Sequence, residues 1–249
     1  MRSAAMTGRR ANRIARASLR AVALASAIGA AAPVSAQAYQ CTPPRTASVP
    51  QIERDGPVRN VPVTGYTLAL SWSPEFCQTR EGQRSHARQC SGREGRFGFV
   101  LHGLWPDGAR SWPQWCATRV RPTPAMVAQQ LCRSPSARLV ARQWSKHGAC
   151  MTRRPQTYYR VGNILFDRLR WPDFDRLSRK PDLDAGDVRD WFVAANRGWR
   201  TDAVGIKLNR RGWLKELRLC YDRRFMPVRC DRRRFGPAND EKVQIWRGL

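Results

Sequence analysis

The alternation of apolar and polar residues predicts two strands in the first half of the chain. Residues 66–72 read YTLALSW, with every second side chain large and apolar, and the Ser-Pro pair at 73–74 ends the run. Residues 96–101 alternate in the same way, with apolar side chains at positions 97, 99 and 101. This second strand is predicted to end at Leu101, so that His102 emerges beyond it.

Helical spacing of apolar residues follows in the middle of the chain. The Thr-Pro pair at 123–124 predicts a helix to about Leu131, because threonine caps free amides and proline suits the first helical position. The Ser-Pro pair at 134–135 predicts a second helix, which ends at Gly148 because glycine tolerates positive φ. The spacing over residues 158–169 predicts a third.

The last third of the chain returns to strand patterns. Residues 204–208 and 213–221 are predicted strands joined by a turn at 209–212. Strands adjacent in sequence and joined by turns pair antiparallel, and the predicted helices lie between the early and late strands. The sequence therefore predicts an α+β fold, with a central antiparallel sheet, helices packed around it and one hydrophobic core.

The amino-terminal residues have the composition of a secretory signal peptide. Residues 1–20 contain six arginines and no acidic residue, residues 21–33 are mainly apolar but too few to span a bilayer, and residues 34–36 (VSA) form a small-residue cleavage site. The predicted parts are a signal peptide over 1–36, a Pro- and Arg-rich tether over 37–60 and a folded domain over 61–249. The mature protein is expected to be secreted or periplasmic, with no membrane span.

Eight cysteines, all beyond the predicted signal peptide, fit an oxidising compartment. Their number is even and no C-x-x-C pair occurs, which favours disulfides over a zinc site. Short spacings suggest Cys77 with Cys90 and Cys220 with Cys230, but one sequence does not determine the connectivity. The remaining four are Cys41, Cys116, Cys132 and Cys150.

The chain is strongly basic. Its formal net charge is +26, and removal of the six arginines in residues 1–20 leaves +20. Such a surplus attracts polyanions by long-range attraction and counterion release, so a nucleic acid or an anionic envelope is the expected neighbour. Charge alone does not identify which of these is the ligand.

Two of the three histidines lie in dense local motifs. Residues 101–106 read LHGLWP and residues 144–150 read WSKHGAC. Because histidine titrates near neutral pH, the two suggest a paired acid and base. If the second motif is helical, Gln143, Lys146 and His147 lie on one face, at positions i, i+3 and i+4. The sequence therefore predicts an enzyme.

Three segments resemble the ribonuclease T2 family. Residues 68–77, 99–106 and 143–150 are similar to its opening strand and its two active-site segments. The resemblance implies an endoribonuclease of low base specificity that needs no metal or other cofactor. It would cleave RNA, preferably single-stranded, through 2′,3′-cyclic phosphates, and leave DNA intact because DNA lacks the 2′-hydroxyl. A monomer is expected.

The resemblance also assigns catalytic roles. His147 would be the base that takes the proton of the 2′-hydroxyl, and His102 the acid that protonates the departing 5′-oxygen, although the order of the two stays open. Lys146 would stabilise the negative charge that develops on the phosphate in the transition state. Gln143 occupies the remaining catalytic position of the segment.

Base-binding residues are implied as well. Trp105 would stack on a base, and Asp107 would accept a hydrogen bond from an exocyclic amine. Trp112, in the Trp-rich loop that follows, is a candidate second stacking platform. The resemblance also implies a disulfide between Cys116 and Cys150. Cys41 and Cys132 are the pair that then remains.

The chain departs from the family pattern at two positions. The second family segment commonly reads HEWxKHG, whereas Arg142 and Gln143 are its first two residues here. Arg142 can bind phosphate in place of histidine, since guanidinium pairs well with phosphate. Gln143 cannot exchange a proton, so the alternatives are a slower ribonuclease or a secreted basic protein that binds RNA with weak or lost catalysis. A disulfide-bonded inhibitor or toxin and a Cys-His hydrolase are weaker alternatives.

Overall fold

Six strands occur in residues 38–248, the part of the chain that the computed structural model describes. They are β1 (Ala38–Tyr39), β2 (Gly65–Trp72), β3 (Arg96–Phe97), β4 (Phe99–Asp107), β5 (Val204–Leu208) and β6 (Leu214–Asp222). Four of them form an antiparallel sheet in the order β4-β2-β6-β5, and β1 pairs with β3. The predicted α+β class and central antiparallel sheet are confirmed. The predicted signal peptide lies outside the described residues.

Eight α-helices accompany the strands within the same residues. They are α1 (Ser73–Cys77), α2 (Ala87–Cys90), α3 (Pro124–Gln130), α4 (Ala137–Lys146), α5 (Pro155–Asp167), α6 (Phe174–Leu177), α7 (Ala185–Ala195) and α8 (Arg232–Phe235). Thr123 caps α3 as predicted, because its hydroxyl accepts from the amide of Met126 at 3.3 Å. The cap of α4 is Ser136 rather than Ser134, since the Ser136 hydroxyl accepts from the amide of Leu139 at 3.2 Å.

The strand that carries His102 is longer than the sequence predicts. β4 continues through His102 to Asp107. Two consecutive residues of β2 face Gly103 and Leu101, so His102 is the extra residue of a β-bulge. The prediction that the strand ends at Leu101 is therefore wrong. A bulge within the strand sets the direction of the His102 side chain, because bulges turn side chains away from the regular alternation.

Gly148 does not end α4 in the predicted way. His147 is the C-cap of the helix, and the next three residues form a 3₁₀ turn. Gly148 is not among the described glycines with positive φ. A Cβ at this position would instead lie 2.6 Å from Trp144 and 2.8 Å from Tyr158. Glycine is required here by close packing, which holds the turn after His147 against the core.

All four predicted disulfides are confirmed: Cys41–Cys132, Cys77–Cys90, Cys116–Cys150 and Cys220–Cys230. The first fastens the segment before β2 to the region that follows α3, and the third fastens the loop after β4 to the end of α4. In residues 38–248, no helix has the length and apolar character needed to cross a membrane.

The core lies between the sheet and the helices that pack on it. Leu68, Leu70 and Phe99 of β2 and β4 are fully buried together with Trp144 of α4 and Phe192 of α7. Burial of large apolar side chains is the main stabilising contribution to such a core. The core therefore fixes β4 and α4 relative to each other, and these two elements carry the two histidine motifs.

Candidate active site

An open cavity of about 840 Å³ is bordered by β4, β6, α4 and α8. It brings together all eight residues that were predicted to act on a substrate: His102, Trp105, Asp107, Trp112, Arg142, Gln143, Lys146 and His147. Arginines of β6 and α8 also line the cavity: Arg218, Arg232, Arg233 and Arg234. This strongly basic lining suits an anionic ligand.

A buried carboxylate holds His102. Nδ1 of His102 lies 2.8 Å from Oε2 of Glu216, and Oε1 of Glu216 accepts from Nε of Arg218 at 2.8 Å. Burial opposes the ionisation of Glu216, but its contacts with His102 and Arg218 outweigh burial and lower the pKa of this carboxyl to about 2. Because the carboxylate engages Nδ1, it orients the ring and leaves Nε2 for a ligand.

His147 lies in a different environment, at the end of α4. Only 6% of the residue is exposed. Burial, followed by the charges of Lys146 and His102, lowers the pKa of His147 to about 3. Nδ1 of His147 has no hydrogen-bond partner in the described structure. The ring is therefore neutral near pH 7 and able to accept a proton.

Trp105 contacts both imidazoles. Its ring is edge-on to His102 at a centroid distance of 5.2 Å and tilted against His147 at 5.6 Å. Its Nε1 donates to Oε1 of Gln143 at 2.7 Å. A Cβ on Gly103 would lie 2.1 Å from the same amide oxygen. The glycine of the first motif thus permits the close approach of α4 to β4 that assembles the site.

A carboxylate from the segment before β2 contacts the cations of α4. Asp55 accepts from the guanidinium of Arg142, and its other oxygen accepts from Nζ of Lys146 at 3.0 Å. The hydrogen bond from Arg142 first, and that from Lys146 in addition, lower the pKa of Asp55 to about 2 in spite of its partial desolvation. Asp55 is therefore ionised throughout the ordinary pH range and binds where a phosphate was expected.

The predicted base-binding residues differ in access. Asp107 is buried: its Oδ2 accepts from the Thr67 hydroxyl at 2.7 Å, and its Oδ1 pairs with Nη2 of Arg234 at 2.8 Å. Burial raises the pKa of Asp107, and Arg234 opposes that shift. Trp112 is 42% exposed, with the guanidinium of Arg59 4.2 Å from its ring centroid. The ring of Trp112 is accessible to a stacking partner. The Asp107 carboxylate, in contrast, already contacts the Thr67 hydroxyl and the Arg234 guanidinium.

The sequence analysis missed four of these residues. Glu216 and Arg218 lie two positions apart on β6 and therefore on one face of the strand, and a charged pair inside an apolar strand was the available signal. Asp55 lies in a segment without periodicity and gave no signal. Arg234 is one of three consecutive arginines, and nothing in the sequence distinguishes it from the other two.

This chain is similar in sequence to two proteins, one named a probable ribonuclease and the other a ribonuclease. Residues 64–180 match the Ribonuclease T2 family. A probable ribonuclease of Haemophilus influenzae is 32% identical over 181 residues, which are 68% of this chain and 61% of that protein. A ribonuclease of Aeromonas hydrophila is 40% identical over 113 residues, which are 45% of this chain and 48% of that protein. The chain thus spans about half to three fifths of the length of these relatives.

The fold is also similar to that of a solved structure. Trichomaglin, described as a novel S-like ribonuclease, superposes with a TM-score of 0.59 and 20% sequence identity. The similarity covers 74% of this chain and 97% of that chain. At this level of identity the comparison concerns the fold alone, and the fold is common to nearly the whole of trichomaglin.

Proposed function

We propose that this chain, whose residues 64–180 match the Ribonuclease T2 family, is an endoribonuclease that cleaves RNA through 2′,3′-cyclic phosphates. One observation carries the proposal: two unlike imidazoles line one basic cavity, His102 beside a buried carboxylate and His147 buried and neutral. Attack of a 2′-hydroxyl on its own 3′-phosphate requires such a base and such an acid.

The surroundings of the two histidines support separate roles for them in the first step. The neutral ring of His147 takes the proton of the 2′-hydroxyl, whose oxygen attacks phosphorus while the bond to the 5′-oxygen breaks. His102 gives its proton to that departing oxygen, since Glu216 engages its Nδ1 and leaves Nε2 for the substrate. In the second step the roles reverse: His102 takes a proton from water, the water opens the cyclic phosphate, and His147 returns its proton.

The cations of α4 bind the phosphate. Lys146 and Arg142 stabilise the extra negative charge that the phosphate oxygens carry in the transition state. In the free protein both contact Asp55, so a phosphate takes the place of this carboxylate when RNA binds. Substrate binding is therefore an exchange of one anion for another.

Gln143 supplies a hydrogen bond in place of a proton. Its Nε2 is buried without a partner in the described structure, and a phosphate oxygen would satisfy it. An amide stabilises charge but does not titrate, so proton transfer rests on the two histidines alone.

Single-stranded RNA fits the base-binding side. The exposed ring of Trp112 can stack on any base, which gives low base specificity. DNA lacks the attacking hydroxyl and is not cleaved. The same proposal includes a monomer that acts outside the cytoplasm after removal of residues 1–36, because disulfides persist in oxidising compartments. Residues 37–60, predicted as a tether before the domain over 61–249, contact that domain through the Cys41–Cys132 disulfide and the ion pairs of Asp55.

The proposal is tested by incubating the purified protein with RNA and EDTA from about pH 4 to pH 8. Analysis of the ends is expected to show 2′,3′-cyclic phosphates, while DNA of the same sequence stays intact. His86→Ala is the matched control and should cleave as the wild type does, because His86 does not line the cavity. RNA that is bound but not cut at any pH, or cut only after a divalent cation is added, would overturn the proposal.

A further inference from the structure

Arg234 changes the chemistry of the base-binding side of the cavity. The sequence predicts that Asp107 accepts a hydrogen bond from a base, yet each of its oxygens already has a partner, the Thr67 hydroxyl or Nη2 of Arg234. The side chain of Asp107 is 10% exposed and that of Arg234 is 24% exposed. The group of this pair that a ligand meets is therefore the guanidinium, which only donates.

The guanidinium of Arg234 is held by two carboxylates. Nη2 contacts Asp107 at 2.8 Å and Nη1 contacts Asp231 at 2.9 Å. Asp231 also caps α8, because its other oxygen accepts from the backbone amide of Arg234 at 3.0 Å. These two ion pairs hold the guanidinium, which carries five N–H donors, in the wall of the cavity.

Close packing fixes the helix that carries Arg234. A Cβ on Gly205 of β5 would lie 2.0 Å from the Arg234 carbonyl oxygen, so only glycine allows α8 to lie this close to the sheet. The fully buried Arg189 donates to the carbonyl oxygens of Phe235 and Pro237, each at 2.9 Å. The C-terminal end of α8 is thus anchored from within the core, and Arg234 is a fixed part of the cavity wall.

We propose that Arg234 donates hydrogen bonds to the base and thereby favours guanine, whose O6 and N7 are two acceptors on one edge. The exocyclic amines of adenine and cytosine are donors, and the Asp107 carboxylate that would accept from them is only 10% exposed and is paired with Thr67 and Arg234. This inference rests on the proposed function, and Arg234 lies outside the residues 64–180 that match the family. The expected preference is about tenfold, which still permits cleavage after every base.

The test measures binding, so that its outcome is separate from catalysis. The probes are guanosine 3′-monophosphate and adenosine 3′-monophosphate, titrated by calorimetry at one pH and one salt concentration. The wild type is expected to bind the guanosine nucleotide about tenfold more tightly. Arg234→Met removes the donors and frees Asp107, so the ratio should fall to about one or reverse in favour of adenosine.

Arg233→Met is the matched control. It removes the same charge from the same helix, but Arg233 makes no hydrogen bond to Asp107, so both nucleotides should weaken together and keep their ratio. Arg234→Lys keeps the positive charge but lacks the planar guanidinium, so the ratio of guanosine to adenosine affinity should fall while the fold is retained. This variant provides the test if Arg234→Met lowers the melting temperature too far for binding to be measured. Equal binding of the two nucleotides by the wild type, or an unchanged ratio in Arg234→Lys, would overturn the inference. A guanosine preference in a protein that does not cleave RNA would instead contradict the proposed function alone.

Discussion

The two histidines of the cavity lie in opposite kinds of surroundings. His102, Glu216 and Arg218 form what we call the strand half of the cavity. The helix half consists of Arg142, Gln143, Lys146 and His147. The strand half gives its imidazole a carboxylate partner and 29% exposure of the side chain. The helix half gives its imidazole burial, a neighbouring lysine and no partner at Nδ1 in the described structure. The proposed acid and the proposed base are thus the same type of side chain in two different surroundings.

The backbone of each half contributes to this difference. His102 is the extra residue of a bulge in an edge strand, which turns its side chain while Glu216 of β6 lies across the intervening strand. His147 is the C-cap of α4, held down by the tightly packed Gly148. The sheet brings the distant carboxylate of Glu216 alongside His102. The end of α4 is packed on the core, which excludes water from His147.

Replacing each histidine by alanine is the strongest test of this comparison. Both His102→Ala and His147→Ala should lower kcat about 10²- to 10⁴-fold, the usual contribution of general acid–base catalysis. A substrate with a p-nitrophenolate leaving group needs no acid. It should restore most of the activity of His102→Ala and none of that of His147→Ala, measured as initial rates of p-nitrophenol release.

Equal rescue of both variants would break the assignment of acid and base. The melting temperature of each variant serves as the control for folding. His147→Ala is expected to shift it more, because this change opens a space in a buried position and His102→Ala does not.

Glu216→Gln attacks the strand half without removing its histidine. The amide still contacts Nδ1 but no longer stabilises the charged ring, so kcat should fall about 10- to 100-fold. The acidic side of the pH profile should stay unchanged, because the low pKa of His147 governs it. Rates of the wild type and the variant over the pH range measure both effects.

The stability of Glu216→Gln offers an independent control. The pKa of Glu216 is lowered from 4.5 to about 2 in the folded protein, so its ionisation stabilises the fold above about pH 4.5, and this contribution is lost as the pH falls toward 2. The melting temperature of the variant should therefore depend less on pH in this window. A melting temperature that falls by the same amount at every pH would indicate a structural role for Glu216.

The sequence predicted the members of the site better than their partners. His102, His147 and Lys146 lie in short motifs, so local pattern was enough to find them. Glu216 acts on His102 across 114 residues, and the bulge at His102 depends on pairing between strands, which no local pattern encodes. Asp107 was identified as a residue of the site, but its state depends on an arginine more than a hundred residues away in sequence.

Gln143→Glu should make the helix half more like the strand half. The new carboxylate can still accept from Nε1 of Trp105, and it can exchange a proton with the phosphate, which the amide cannot. We expect kcat to rise by up to about tenfold, with a new dependence on pH on the acidic side. Steady-state rates with a short oligonucleotide measure the change. An unchanged kcat would mean that the amide is no handicap and that the two histidines suffice.

Asp55→Asn is expected to have the smallest effect. It changes only how strongly residue 55 competes with the RNA phosphate for Arg142 and Lys146, and it leaves the groups that transfer protons intact. A neutral amide binds Arg142 and Lys146 less strongly than the carboxylate does, so RNA displaces it more easily and KM should fall about three- to fivefold with kcat unchanged. The difference should shrink as salt rises, since ions screen the exposed pairs. Asp182→Asn raises the net charge equally but removes a pair with Lys242 outside the cavity, and its KM should stay near that of the wild type. A rise of KM in Asp55→Asn would show that the carboxylate organises the cations for the substrate and does not compete with it.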